Sequence, residues 1–208
     1  WRETFLALVD DLEAKRFKIA VHWDMVERAD DEFNMEDLDW QLKELEKREA
    51  KALLVIGMKT PRWPECHIPE WALEIGKEEQ QRQILAMLEV LVKRYESSSA
   101  LYGWQVENEP FFAFGQCPWA DREFLQEEIA LVKLLDPSHP VVVSDSGEFS
   151  FWFNTASYAD IVGMTLYRKA WFKELNMYVT YPFPPTFYSR KAALIDFFFR
   201  KKVIGVEL

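Results

Sequence analysis

Long hydrophobic runs are missing from these 208 residues. No stretch of 18 apolar residues occurs, so no segment is long enough to cross a bilayer as a helix. Basic charge is also scarce: 25 lysines and arginines face 35 aspartates and glutamates, a formal net charge of -10. With no basic patch to meet phosphates, nucleic acid is not an expected partner. The two cysteines, Cys66 and Cys117, are too few for a disulfide framework. Two unlinked thiols is the default reading, and a pair between adjacent loops is the alternative. No set of four residues has the spacing of a zinc site, so neither metal nor cofactor is expected. Seven glycines are few for an all-β chain full of tight turns.

The chain is 49% hydrophobic, which excludes a disordered polymer and supplies a sizeable core. It begins at Trp1 in a helical pattern and stops at Leu208 inside a strand-like run, so it reads as a segment of a longer protein. Six short apolar runs occur, at Phe17–Trp23, Ala52–Met58, Leu101–Val106, Val141–Ser144, Ile161–Leu166 and Val203–Leu208. Amphipathic patterns separate them, over residues 2–15, 35–49 (with Asn34 as cap), 77–96, from Asp121 to Asp136-Pro137, and 187–200. Near-continuous apolar strands alternating with helices predict a parallel sheet covered by helices. No Gly-rich turn follows the first run, as an open doubly wound sheet would favour. The expectation is α/β: a single partial (β/α)8 barrel over residues 1–208, with strands one and eight missing.

Alternation sends neighbouring side chains of a strand to opposite faces. In the third run Tyr102, Trp104 and Val106 share one face, and Gly103, Gln105, Glu107 and Glu109 the other. In the fifth, Val162, Met164 and Leu166 oppose Gly163, Thr165 and Tyr167. In the sixth, Ile204, Val206 and Leu208 oppose Val203, Gly205 and Glu207. The glycine-bearing faces turn polar toward the strand ends, and in a barrel they point inward. That places Glu109, Tyr167 and Glu207 at the C-terminal mouth, where this fold carries its chemistry. Two carboxyls in one low-dielectric space push their pKa values apart, so one can give a proton while the other attacks. Glycosidic bond cleavage needs that division.

The stretch Tyr102-Gly103-Trp104-Gln105-Val106-Glu107-Asn108-Glu109-Pro110 resembles the Asn-Glu-Pro signature on the fourth strand of clan A glycoside hydrolases. Its form is similar to both family 42 (β-galactosidase-like) and family 5 (cellulase-like) enzymes. Trp23-Asp24-Met25-Val26-Glu27 resembles the segment after the clan's second strand, and Pro61-Arg62-Trp63-Pro64 the one after the third. Val203-Ile204-Gly205-Val206-Glu207 resembles the seventh strand, 98 positions after Glu109. The resemblance implies Glu109 as general acid/base and Glu207 as nucleophile of a retaining, cofactor-free double displacement on a β-linked carbohydrate. It implies Asn108 as the partner of the sugar 2-hydroxyl and Tyr167 as the group that keeps the nucleophile ionised. Where family 5 usually has an arginine near the second strand, this chain has His22 and Trp23.

Further sugar-binding candidates are His22 (inward parity, or a core histidine) and Trp23 and Trp63 (stacking platforms, or packing). Asp145 and Glu148 either bind hydroxyls or form an Asx-type turn with a solvated glutamate. Phe111, Phe112 and Phe114 supply an apolar setting for Glu109 or pack under a loop. The rival functions are a carbohydrate-binding barrel without catalysis, a metal-dependent barrel hydrolase and a phosphosugar enzyme.

Overall fold

The structure is a computed structural model that describes residues 1–172 and 176–208. Contacts divide it into two compact units: Trp1–Asn108 with Ala113–Val141, and Glu109–Phe112 with Val142–Leu208.

In the first unit α1 (Arg2–Asp10) precedes β1 (Arg16–Ala20), a helical turn α2 (Trp23–Val26) and a hairpin of β2 (Glu27–Ala29) and β3 (Glu32–Phe33). Then come α3 (Glu36–Glu46), β4 (Lys51–Ile56), a 3-10 turn (Glu70–Ala72), α4 (Lys77–Tyr95), β5 (Leu101–Val106) and α5 (Arg122–Leu135). β4 pairs in parallel with β1 on one side and β5 on the other. Ala52 to Ile56 are all buried, as expected of a strand covered on both faces. α4 buries Ile84, Met87, Leu88, Leu91, Val92 and Tyr95, a stripe at helical spacing. One cap follows the sequence: Asp121 accepts from Glu123 N and Phe124 N at 2.9 and 3.1 Å. The expected Asn34 cap does not, because Met35 holds the cap position of α3, and Asn34, one residue earlier, accepts from Glu36 N at 3.0 Å.

In the second unit β6 (Val141–Asp145) leads to α6 (Phe153–Tyr158), β7 (Ile161–Thr165), a hairpin of β8 (Lys169–Phe172) and β9 (Met177–Thr180), α7 (Pro185–Phe199) and β10 (Lys202–Glu207). β7 pairs in parallel with β6 and β10. Trp152, Ala156, Val162, Tyr188 and Ile195 form its core, with Met164, Leu166 and Val203 packed against them.

Two further expectations need correction. The first run stops being strand at Ala20, and Trp23 opens a helical turn. In the sixth run the faces are exchanged. Val203 packs with Met164 and Leu166 on the helix side, while Val206 lies 3.1 Å from where a Gly163 side chain would begin, beside Ser144. A register shift between Gly205 and Glu207 then brings Glu207 opposite Thr165. The inserted residue of a bulge reverses the alternation, so Glu207 shares the face of Thr165 although Val203 and Gly205 do not.

Candidate active site

In the second unit, the end of β7 holds both candidate glutamates. The Thr165 hydroxyl donates to Glu109 Oε1 at 2.7 Å. The Tyr167 hydroxyl donates to Glu207 Oε2. Thr165 is also the register partner of Glu207, and Leu166 N donates to the Glu207 carbonyl at 2.9 Å. Thr165 is the last residue of β7, and Tyr167 follows it by two positions. Glu109 is buried, and its own N–H donates to Ser144 Oγ at 2.9 Å. Its φ of 45° lies in the left-handed region, and it precedes a proline, which disfavours helical backbone at the residue before it. Strain of this kind persists where surroundings over-determine it. Gly147 fits tightly beside this cluster, because a Cβ there would lie 1.8 Å from the Thr165 carbonyl oxygen.

Asp145 and Glu148 belong to the scaffold of that loop. Asp145 accepts from Ser146 N, Ser150 Oγ and Thr155 Oγ1 at 2.8, 2.7 and 2.6 Å. Glu148 is buried rather than solvated and accepts from the Tyr188 hydroxyl at 2.6 Å. That bond and burial push the Tyr188 hydroxyl up to about 12, burial being the larger cause. Phe111 packs on Tyr158 and Phe112 stacks on Phe149.

In the first unit, Asn108 is buried, and its side chain meets Lys18 Nζ at 3.4 Å, Gln105 Nε2 at 3.1 Å and Glu65 Oε2 at 3.4 Å. His22 is half-buried. Its Nδ1 lies 2.7 Å from Thr60 Oγ1, and its ring stacks on His67 with centroids 3.8 Å apart. Burial and the His67 ring beside it hold the His22 imidazole down at about 4, so it is neutral at pH 7. Trp63 is 64% exposed and meets Phe114 edge-on at 6.2 Å. Trp23 has no exposed surface, and its indole donates to Glu27 at 2.7 Å. It is a core residue, so no sugar can stack on it.

Cys66 and Cys117 form a disulfide, contrary to the default of two free thiols. The bond ties the loop after β4 to the loop after β5. Gln116 N also donates to the Pro64 carbonyl at 2.9 Å there. Glu107 departs from its expected face too. The strand ends at Val106, Glu107 takes a φ of 59°, and its carboxylate turns back to accept from Met58 N and Lys59 N.

Lys18, Glu65, Ser144 and Thr165 were not singled out in the sequence. A lysine two and four positions from Ala20 and His22 on a covered strand was the available signal for Lys18. Thr165 stood on the inward parity between Gly163 and Tyr167. Ser144 and Glu65 carried no signal beyond polarity near a strand end.

No family model matches this chain. A mannan endo-1,4-β-mannosidase A from Emericella nidulans is 32% identical over 75 residues, which are 36% of this chain and 19% of that protein. Among solved structures, a GH42 β-galactosidase from G. stearothermophilus superposes with a TM-score of 0.65 at 13% identity, covering 96% of this chain and 41% of its own. GH5_18 from Streptomyces cattleya, solved with GlcNAc, gives 0.62 at 13% identity, over 78% and 44%. A GH10 endo-β-1,4-xylanase from Gloeophyllum trabeum gives 0.62 at 13% identity, over 78% and 58%. The chain thus spans about a fifth of the mannosidase and roughly half or less of most of these structures. The likeness establishes the fold as a (β/α)8 barrel, incomplete in this chain.

Proposed function

We propose that this chain carries the catalytic groups of a glycoside hydrolase that cleaves β-linked oligo- or polysaccharides with retention, by double displacement. One observation carries the reading: a single strand end donates a hydroxyl to each of two glutamates from different strands, Thr165 to Glu109 and Tyr167 to Glu207. A retaining pair needs its carboxyls ~5–5.5 Å apart, and donors two positions apart at one strand end support that reading. The relatives named above are a mannosidase, a β-galactosidase and a xylanase, which supports carbohydrate as the substrate class.

On this reading Glu109 protonates the leaving oxygen while Glu207 attacks the anomeric carbon, forming a glycosyl ester. Glu109 then takes a proton from water, whose oxygen displaces Glu207. The Tyr167 hydroxyl, donating to Glu207, orients that carboxylate. Asn108 is the candidate partner of the sugar 2-hydroxyl, and His22 and Trp63 are candidate sugar contacts, His22 as a neutral ring. No helix among the described residues is long and apolar enough to cross a membrane.

The experiment is a panel of β-linked glycans, with the anomeric configuration of the first-formed product read by NMR. Retention is expected. Inversion, or no cleavage of any β-linked glycan, contradicts the proposal. A carbohydrate-binding barrel without catalysis would bind members of the panel and release nothing.

A further inference from the structure

Two buried carboxyls take no part in that chemistry. Glu107 follows β5 and Glu128 lies on α5; they are 6% and 1% exposed. They lie close enough for each to shift the other, and two carboxyls buried together keep a proton between them. The geometry says which one. Glu107 accepts from Met58 N at 2.7 Å and from Lys59 N at 2.8 Å, so both its oxygens face donors. Glu128 Oε1 is buried without a hydrogen-bond partner, a tolerable state for a neutral acid and a costly one for a carboxylate. Glu128 is therefore the protonated member. Burial raises both carboxyls, and the charge of Glu107 raises Glu128 further. The other charged groups acting on the pair are Lys59, which favours ionised Glu107, and Glu127, which disfavours ionised Glu128.

The surroundings are shaped to this pair. Gly57 has a φ of 117°, and a Cβ on it would lie 2.4 Å from Glu107 Oε1. Lys59 closes a ring: its N–H donates to the Glu107 carboxylate, and its carbonyl accepts from Asn108 N at 2.7 Å. Gln105 Nε2 donates to the Glu107 carbonyl at 3.1 Å. Glu107 thus joins the end of β4 to the turn just before Asn108 and Glu109.

We propose that Glu107 and Glu128 are a positioning pair, in which one shared proton clamps the end of β4 onto the turn that delivers Asn108 and Glu109. The proposal rests on the reading of Glu109 as the acid/base. Isosteric Glu128→Gln keeps a hydrogen-bond donor for Glu107, whereas Glu128→Leu keeps only volume. In Glu128→Leu we expect the Met58 and Lys59 amides to exchange with deuterium ~10-fold faster or more, as local opening requires. On an aryl β-glycoside, kcat falls up to ~10²-fold with KM within ~2-fold, the signature of a misplaced rather than an absent group. Glu128→Gln stays within ~3-fold of wild type in both measurements. Wild-type exchange in Glu128→Leu overturns the proposal. So does a Glu128→Gln protein whose Met58 and Lys59 amides lose protection, an arm that stands if the leucine variant fails to fold. If wild type cleaves no glycoside, the reading of function has failed, and the exchange measurements decide the clamp by themselves.

Discussion

The turn after β5 and the end of β10 each present a glutamate, and they are held by different means. Glu109 is buried in a left-handed turn, with hydroxyls on both its backbone N–H and its carboxylate. Glu207 is half-buried after a bulge and accepts from the Tyr167 phenol. A dry, tightly fixed carboxyl suits a group that must hold and return a proton. A carboxylate closer to water, beside a phenol, suits a group that must attack.

The largest break in this comparison comes from removing either carboxyl. Glu109→Ala and Glu207→Ala should each lower kcat on an aryl β-glycoside by ~10²–10⁴-fold or more. Azide should then distinguish them. It replaces the missing nucleophile as the α-glycosyl product in Glu207→Ala, and captures the glycosyl ester as the β-glycosyl product in Glu109→Ala. The same product from both variants would mean that the two roles are not divided. Next is the scaffold of the first unit. Opening the Cys66–Cys117 bond as Cys66→Ser/Cys117→Ser should cost about 4 kcal/mol of stability on the chain-entropy account of a 51-residue separation, read by denaturant unfolding. An unchanged midpoint would contradict the tie between the two loops.

Smaller effects sharpen the contrast. Thr165→Val and Tyr167→Phe each remove one hydroxyl and keep the shape. Each should slow kcat by ~10-fold, about the worth of one hydrogen bond to a charged group. Rates equal to wild type would show that the β7 end is not the shared support. A separate effect is on pH stability. His22 in the folded chain stays neutral to about pH 4, whereas the unfolded chain takes up its proton near 6.5. The unfolded state therefore binds more protons between those values, and stability falls as pH drops through that window. His22→Asn should flatten that fall, measured by thermal midpoints at pH 7 and pH 4.5.

The strands and helices were legible because apolar runs and helical stripes survive in local sequence. All six runs contain a strand, and the Asp121 cap sits where its side chain allowed, while the cap of α3 falls on Met35, one residue after Asn34. The hairpins β2–β3 and β8–β9 were not legible, since neither carries the alternating pattern of a half-buried strand. Glu207 shows a subtler limit. Counting by twos put it on one face with Val203 and Gly205, but a register shift separates them, and Gly205, a residue that can mark a bulge, is the one local signal of it. Glu107 shows another: two-residue periodicity has no meaning once φ turns positive at the strand end. The disulfide was open in the sequence because pairing depends on two loops meeting, which spacing alone does not fix.

The most direct measurement is covalent trapping. The protein is incubated with 2-deoxy-2-fluoro-β-glycosyl fluorides of the manno, gluco and galacto series, then digested and read by mass spectrometry. The account predicts one fluorosugar attached to the peptide that contains Glu207. Attachment to a different carboxylate, or glycoside cleavage with no trapped sugar from any of the three, would contradict it.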